Sequence, residues 1–128
     1  MKFIKRETDY AFQALVFLAK NEMPSYTVEY VAKQLELPKT HLRKIFQILS
    51  SNGILSSTKG RNGGFSLNIE ATEISMAKII KIFQGDIDLT NCVVEKKVCK
   101  NTQNCFIREK LKNISKKLEE ELSKITLK

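Results

Sequence analysis

The sequence predicts a mainly α fold: a winged helix-turn-helix with a two-stranded β-wing and a long C-terminal dimerisation helix. Three observations predict it. Between Thr27 and Ser51, two short segments with apolar residues at helical spacing are separated by about three residues around Leu37-Pro38, the layout of a helix-turn-helix. Two strand-like runs follow at once, joined by the glycine-rich basic tip Lys59-Gly60-Arg61-Asn62-Gly63-Gly64, which reads as a wing. From Phe106 to Leu127 apolar residues recur at steps of 4, 3, 4, 4 and 3, a narrow stripe of coiled-coil type.

Taken in order, Tyr10 to Ala19 is rich in Ala and Leu. Phe12, Leu15, Val16 and Ala19 stand at i, i+3, i+4 and i+7, the pattern of a buried helix, with Thr8 or Asp9 as its cap. Asn21 to Ser25, with Pro24, is a turn. Thr27 caps a helix over Val28 to Leu35 with Val31 and Leu35 inward, and Leu37-Pro38 closes it, because the residue before a proline is driven out of the α region. Lys39 to Ser51 forms the next helix, with Leu42, Ile45, Phe46 and Leu49 on its apolar face. Asn52-Gly53 stops it, since glycine enters the left-handed region cheaply.

The wing strands are expected at Ile54 to Ser57 and at Phe65 to Ile69, where apolar and polar residues alternate. Ser75 caps a further helix through Gln84, with Ile79, Ile80 and Phe83 on one face and Gly85 as its stop. The expected organisation is a DNA-binding domain over 1–84, a cysteine-bearing loop over 85–105 and a dimerisation helix over 106–128.

At 128 residues the chain can bury a core without disulfide or metal staples. The net charge of +8 and an isoelectric point near 9.5 call for an anionic partner. No window approaches the ~20 apolar residues of a membrane span, and the start lacks the apolar core of a signal peptide. The expectation is a cytoplasmic protein.

The charge is unevenly spread. Residues 37–69 hold Lys39, Arg43, Lys44, Lys59 and Arg61 without one Asp or Glu. Duplex DNA presents one phosphate charge per ~1.7 Å of axis, so an acid-free helix and hairpin suit it. Thr40, His41, Arg43 and Gln47 are candidates for base edges in the major groove. Lys39, Lys44, Lys59 and Arg61 are candidates for phosphates, with the wing beside or in the minor groove. The helix pair alone also suits an ordinary helical hairpin with a solvated basic face; the adjoining wing is what favours DNA. A single winged helix reads a short site, so a homodimer on a pseudo-palindromic operator is expected.

Cys92, Cys99 and Cys105 are the only cysteines and fall within fourteen residues, in the pattern C-x6-C-x5-C. The spacings are wider than those of common zinc sites. Clustered thiolates can hold an iron–sulfur cluster, and Lys96, Lys97 and Lys100 favour thiolate over thiol. The spacing alone leaves three unligated thiols equally open. The competing readings are a cluster-free winged-helix repressor that responds to a metabolite or a protein, and a thiol-dependent enzyme. No cysteine has a candidate base near it in sequence, and the single histidine, His41, lies on the basic helix.

Thr8-Asp9-Tyr10-Ala11, Leu42-Arg43-Lys44-Ile45-Phe46, Leu55-Ser56-Ser57 through Gly63-Gly64-Phe65, and three loop cysteines before a long helix together resemble one family across essentially the whole chain. It is the Rrf-two family of bacterial winged-helix repressors, in its iron–sulfur type that includes the IscR and NsrR regulators. The resemblance implies a transcriptional regulator, not an enzyme, whose operator affinity follows a cluster that senses redox state, nitric oxide or iron status. It implies Cys92, Cys99 and Cys105 as ligands of a 4Fe–4S cluster, preferred here over 2Fe–2S. The assembly regulators of the family use a histidine three residues after the last cysteine, where this chain has Arg108. The nitric-oxide sensors use an aspartate from the partner's first helix, and Asp9 holds the matching position.

Arg61→Ala is expected to weaken binding to every duplex and to make the salt dependence shallower by about one unit of slope, as for one lost phosphate contact. Fluorescence-anisotropy titrations over a salt series measure it, and an unchanged slope removes Arg61 from the phosphate set.

Overall fold

The computed structural model describes residues 3–20, 23–60, 63–89 and 106–127. Helix α1 (Arg6–Lys20) packs beneath a helix-turn-helix of α2 (Val28–Leu35) and α3 (Lys39–Ser51). The wing strands β1 (Leu55–Thr58) and β2 (Gly64–Leu67) follow, then a 3-10 turn at Ala71–Glu73, α4 (Met76–Gln84) and α5 (Phe106–Lys124). This mainly helical architecture is the one the sequence predicts.

Helix α1 differs from expectation in two ways. Its buried face is Thr8, Ala11, Ala14, Leu15 and Leu18, a stripe rotated from the one predicted, and Phe12, Val16 and Ala19 are only partly covered. The alanines present so little bulk that α3 and α4 pack closely on that side, while the larger Phe12 sits at the seam between two apolar clusters. The helix also begins at Arg6, so Thr8 and Asp9 lie in its first turn and neither is the cap. Thr8 is fully buried and its hydroxyl donates to Gln84 Oε1 at 2.7 Å. The same oxygen accepts the Lys5 N–H at 2.9 Å, and Gln84 Nε2 donates to the Phe3 carbonyl at 2.8 Å. One amide side chain at the end of α4 thus satisfies the N-terminal approach to α1. Asp9 keeps the favourable place of an acid at the positive end of a helix dipole.

The helix-turn-helix follows its sequence signals closely. Thr27 Oγ1 accepts the Tyr30 N–H at 3.1 Å. Helix α2 ends at Leu35, and the next residue, Glu36, adopts a left-handed φ of 57° just before Leu37. All four predicted apolar residues of α3 are buried, and Gly53 takes φ +77° just beyond its end.

The wing strands pair antiparallel with Leu55 opposite Leu67 and Thr58 opposite Gly64. Ile54 precedes β1, yet its carbonyl still accepts the Asn68 N–H at 2.9 Å. The hairpin is not isolated. Tyr26 donates to the Phe65 carbonyl at 2.9 Å and accepts from the Phe65 N–H at 2.7 Å, a bridge that adds the segment before α2 as a third line of backbone. A two-stranded ribbon is marginal by itself, so this bridge and the Phe65 ring are what set the wing on the domain. Gly64 is required for it: a β-carbon there would lie 2.5 Å from the Tyr26 carbonyl oxygen.

Helix α4 starts at Ser75, whose hydroxyl accepts the Lys78 N–H, and stops at Gly85, both as predicted. Helix α5 ends at Lys124, short of the predicted Leu127, because the last residues turn back as extended chain. Ile125 O accepts the Met76 N–H at 2.8 Å, and the Leu127 N–H donates to Ile74 O at 3.1 Å. Leu118 and Leu122 join Ala77, Ile80 and Ile87 in a second apolar cluster, and Lys81 pairs with Glu119. The connection after Gly85 is therefore less polar than its composition suggested, since Ile87 is buried in that cluster.

Gly64→Ala is expected to destabilise the protein by roughly 1–3 kcal/mol, the usual cost of forcing an atom into filled space. Thermal melting followed by circular dichroism measures it; an unchanged Tm contradicts the close approach of β2 to Tyr26.

Candidate nucleic-acid interface

Burial of Leu42, Ile45, Phe46 and Leu49 fixes the rotation of α3 about its axis, and the opposite face then carries Lys39, Thr40, His41, Arg43, Lys44 and Gln47, all exposed. These six residues were predicted from the sequence, and the fold brings them onto one surface. Beside them a groove of about 330 Å³ runs between the start of α2 (Thr27, Glu29), Arg43 and Gln47 of α3, and the wing residues Ser57, Thr58 and Gly64. Lys59 is exposed at the end of β1. Arg61 lies outside the described residues. Helix, groove and wing adjoin one another, the arrangement in which a recognition helix enters a major groove and a hairpin follows the backbone.

Two features of this surface were invisible in the sequence. His41 is not free-standing: its ring stacks against Tyr10 of α1, with centroids 6.3 Å apart and planes at 30°. The acid-free character of residues 37–69 is also broken from outside. Glu29, in the first turn of α2, accepts from Lys39 Nζ at 3.2 Å and from Arg43 Nη2 at 3.1 Å through a single oxygen, Oε1. A hydrogen bond from its own backbone, and then the Lys39 ammonium, hold its carboxyl below the usual glutamate range. These ion pairs are accordingly present above the ordinary glutamate pKa and are lost as pH falls through the lowered one. The available signal was positional. An acid in the first turn of the first helix of a helix-turn-helix stands near the start of the second.

The candidate cofactor ligands are divided. Cys92, Cys99 and Cys105 lie outside the described residues. Asp9 is exposed on the first turn of α1, where Oδ2 accepts from Gln13 Nε2 at 3.0 Å. Among the described residues, no group of three His, Cys, Asp or Glu stands close enough to hold a metal ion. The segment leading to the cysteines is anchored where it leaves α4. The Leu89 N–H donates to Ser115 Oγ at 2.8 Å, and that hydroxyl donates to Leu111 O at 2.8 Å. Among the described residues no helix is long and apolar enough to cross a membrane.

Comparisons with known proteins agree with this geometry. Residues 4–128 match the Rrf2 family, described as iron-dependent transcriptional regulators. The chain is 30% identical over 105 residues to the helix-turn-helix regulator NsrR of Oceanobacillus iheyensis, covering 81% of this chain and 68% of that protein. In fold it is similar to CymR, the global cysteine regulator of B. subtilis, with a TM-score of 0.79 at 23% identity over 99% of this chain and 94% of that one. It is similar also to IscR of T. potens, with a TM-score of 0.77 at 23% identity over 99% and 83% of the two chains. The family and the NsrR relative are regulators of transcription, which sets aside the thiol-dependent enzyme. A basic recognition helix, a wing tied to it, and a family match along nearly the whole chain lead to one conclusion: the protein belongs to the Rrf2 family of winged-helix transcriptional regulators.

Proposed function

We propose that this regulator is a homodimer whose affinity for a pseudo-palindromic operator is controlled by an iron–sulfur cluster. The observation that carries the reading is the position of the only three cysteines, within fourteen residues between the end of α4 and the start of α5, in a family described as iron-dependent. In this reading residues 1–84 bind DNA, 85–105 hold the cluster and 106–128 serve the dimer.

The donor set fits such a group. Three thiols on one short segment can supply three thiolates, and Asp9 is an exposed carboxylate that a partner subunit's loop can approach. Cys92, Cys99 and Cys105 would hold the cluster, with Asp9 of the partner subunit as fourth ligand, and 4Fe–4S is preferred over 2Fe–2S. A bound cluster would supply a metal centre that oxidants, nitric oxide or iron shortage can alter. The protein's own residues do the rest. Asp9 sits one residue before Tyr10, whose ring stacks on His41 of the recognition helix. A change in how Asp9 is held is therefore positioned to bias the recognition helices between two arrangements.

The dimer surface is assigned to α5. Its C-terminal half packs on its own domain through Leu118 and Leu122. Its N-terminal half leaves Phe106 70%, Ile107 57% and Ile114 51% exposed, apolar surface that a second copy would cover. Thr40, His41, Arg43 and Gln47 serve base edges, and Lys39, Lys44, Lys59 and Arg61 serve phosphates.

Anaerobically purified protein is expected to be coloured, with a visible absorbance band and matching iron and sulfide content. Colourless protein that takes up neither on reconstitution rejects the cluster. Asp9→Ala should shift the spectrum and speed cluster loss, and an unaltered cluster removes Asp9 from the ligand set. Ile114→Glu is expected to yield monomers in sedimentation velocity and to abolish operator binding; a variant that stays dimeric moves the interface off this face of α5.

A further inference from the structure

We infer that Glu29 is a specificity-determining residue of the DNA-reading surface: it competes with phosphate for Lys39 and Arg43, and so weakens binding to arbitrary DNA more than binding to the operator. The inference rests on the DNA-reading role proposed above for those two cations, and it adds a residue that was not among the contacts.

Lys39 and Arg43 stand one helical turn apart on α3, so their side chains share an edge of the recognition helix. Glu29 reaches both from α2 with one carboxylate oxygen, at 3.2 and 3.1 Å, and Glu29 and Arg43 line the groove between α3 and the wing. The side chains of Glu29, Lys39 and Arg43 are all about half exposed. Ion pairs in so much water are weak and exchangeable, so a phosphate can displace the carboxylate. The pairs are also unnecessary for docking the helices, because Val28, Val31 and Ala32 of α2 and Leu42, Ile45 and Phe46 of α3 share the core beneath.

The two kinds of DNA complex feel Glu29 differently. Binding to arbitrary sequence is driven by charge alone. A carboxylate between two cations removes one unit of that charge at the centre of the surface. Binding to an operator also requires the guanidinium plane to be aimed at a base edge. Glu29 occupies Nη2 of Arg43 and leaves the other donors of the rigid fork available. Removing the carboxylate adds attraction in both complexes and loses orientation in only one. Specificity falls.

The test compares wild type and Glu29→Gln, which keeps side-chain length, on two duplexes of about 24 base pairs, enough for two half-sites one turn apart. One duplex has arbitrary sequence. The other is the tightest recovered by wild-type protein from a randomised pool. For the arbitrary duplex, Glu29→Gln should steepen the salt dependence by about 0.9 unit, roughly eightfold in affinity per tenfold dilution of salt. The selected duplex should gain less, so that the ratio of the two affinities falls at least about threefold. In a Lys39→Ala/Arg43→Ala background the Glu29→Gln change should have no effect. Equal gains on both duplexes, no gain on either, or an effect that persists without the two cations each overturn the inference. A large drop in Tm for Glu29→Gln overturns it too, by making Glu29 a structural residue. Failure is distinguishable at its source: wild-type protein that retains no duplex at about 50 mM salt rejects the DNA-reading role itself, and this inference with it.

Discussion

Phe46 is fully buried on the inner side of α3, and its ring meets that of Phe65 edge-on at 5.0 Å. Edge-to-face aromatic pairs have a preferred geometry in addition to their buried area, so this contact sets direction as well as distance. Phe65 in turn exchanges two backbone hydrogen bonds with Tyr26, the residue before the cap of α2. Helix, wing and the entry to the helix-turn-helix therefore meet at one aromatic side chain. Without it the wing would be held only by the backbone bridge to Tyr26 and by Leu55 and Leu67, and a two-stranded ribbon adds little of its own.

Any DNA-reading surface faces a physical problem: whatever attracts DNA in general attracts the wrong DNA as well. The net charge of +8 supplies attraction in abundance. Glu29 opposes it at one point, between two cations of the recognition helix. An exposed pair contributes little to folding; in the proposed reading its effect is on binding. His41 is restrained as well, against Tyr10. The recognition face combines residues held by neighbours with exposed ones such as Thr40, Lys44 and Gln47.

The remaining elements connect this face to the region of the cysteines. Gln84 closes the N-terminal approach to α1 through Thr8, Lys5 and Phe3, and the chain leaves for the cysteines one residue later, at Gly85. Leu89 is held by Ser115 of α5, and Leu118 and Leu122 rest in the cluster that contains Ile80 and Ile87. Helices α1, α4 and α5 are thus joined by polar contacts and one small apolar cluster.

By itself the sequence determined the elements and their order. The stripe of α3, the caps Thr27 and Ser75, the stops Gly53 and Gly85 and the pairing of the wing are local matters, set by periodicity and backbone freedom within a few residues. The basic face of α3 was legible for the same reason: four buried residues dictate which side of the helix faces outward. Only the tertiary structure decided the rest. The rotation of α1 depended on where α3 and α4 pressed against its alanines. The bond from Thr8 to Gln84 spans 76 residues, and the bridge from Tyr26 to Phe65 comes from a segment that carries no strand signal. Glu29 meets Arg43 across 14 residues and a turn. These contacts join residues that are remote in sequence, and their energies depend on distances that exist only once the chain has folded.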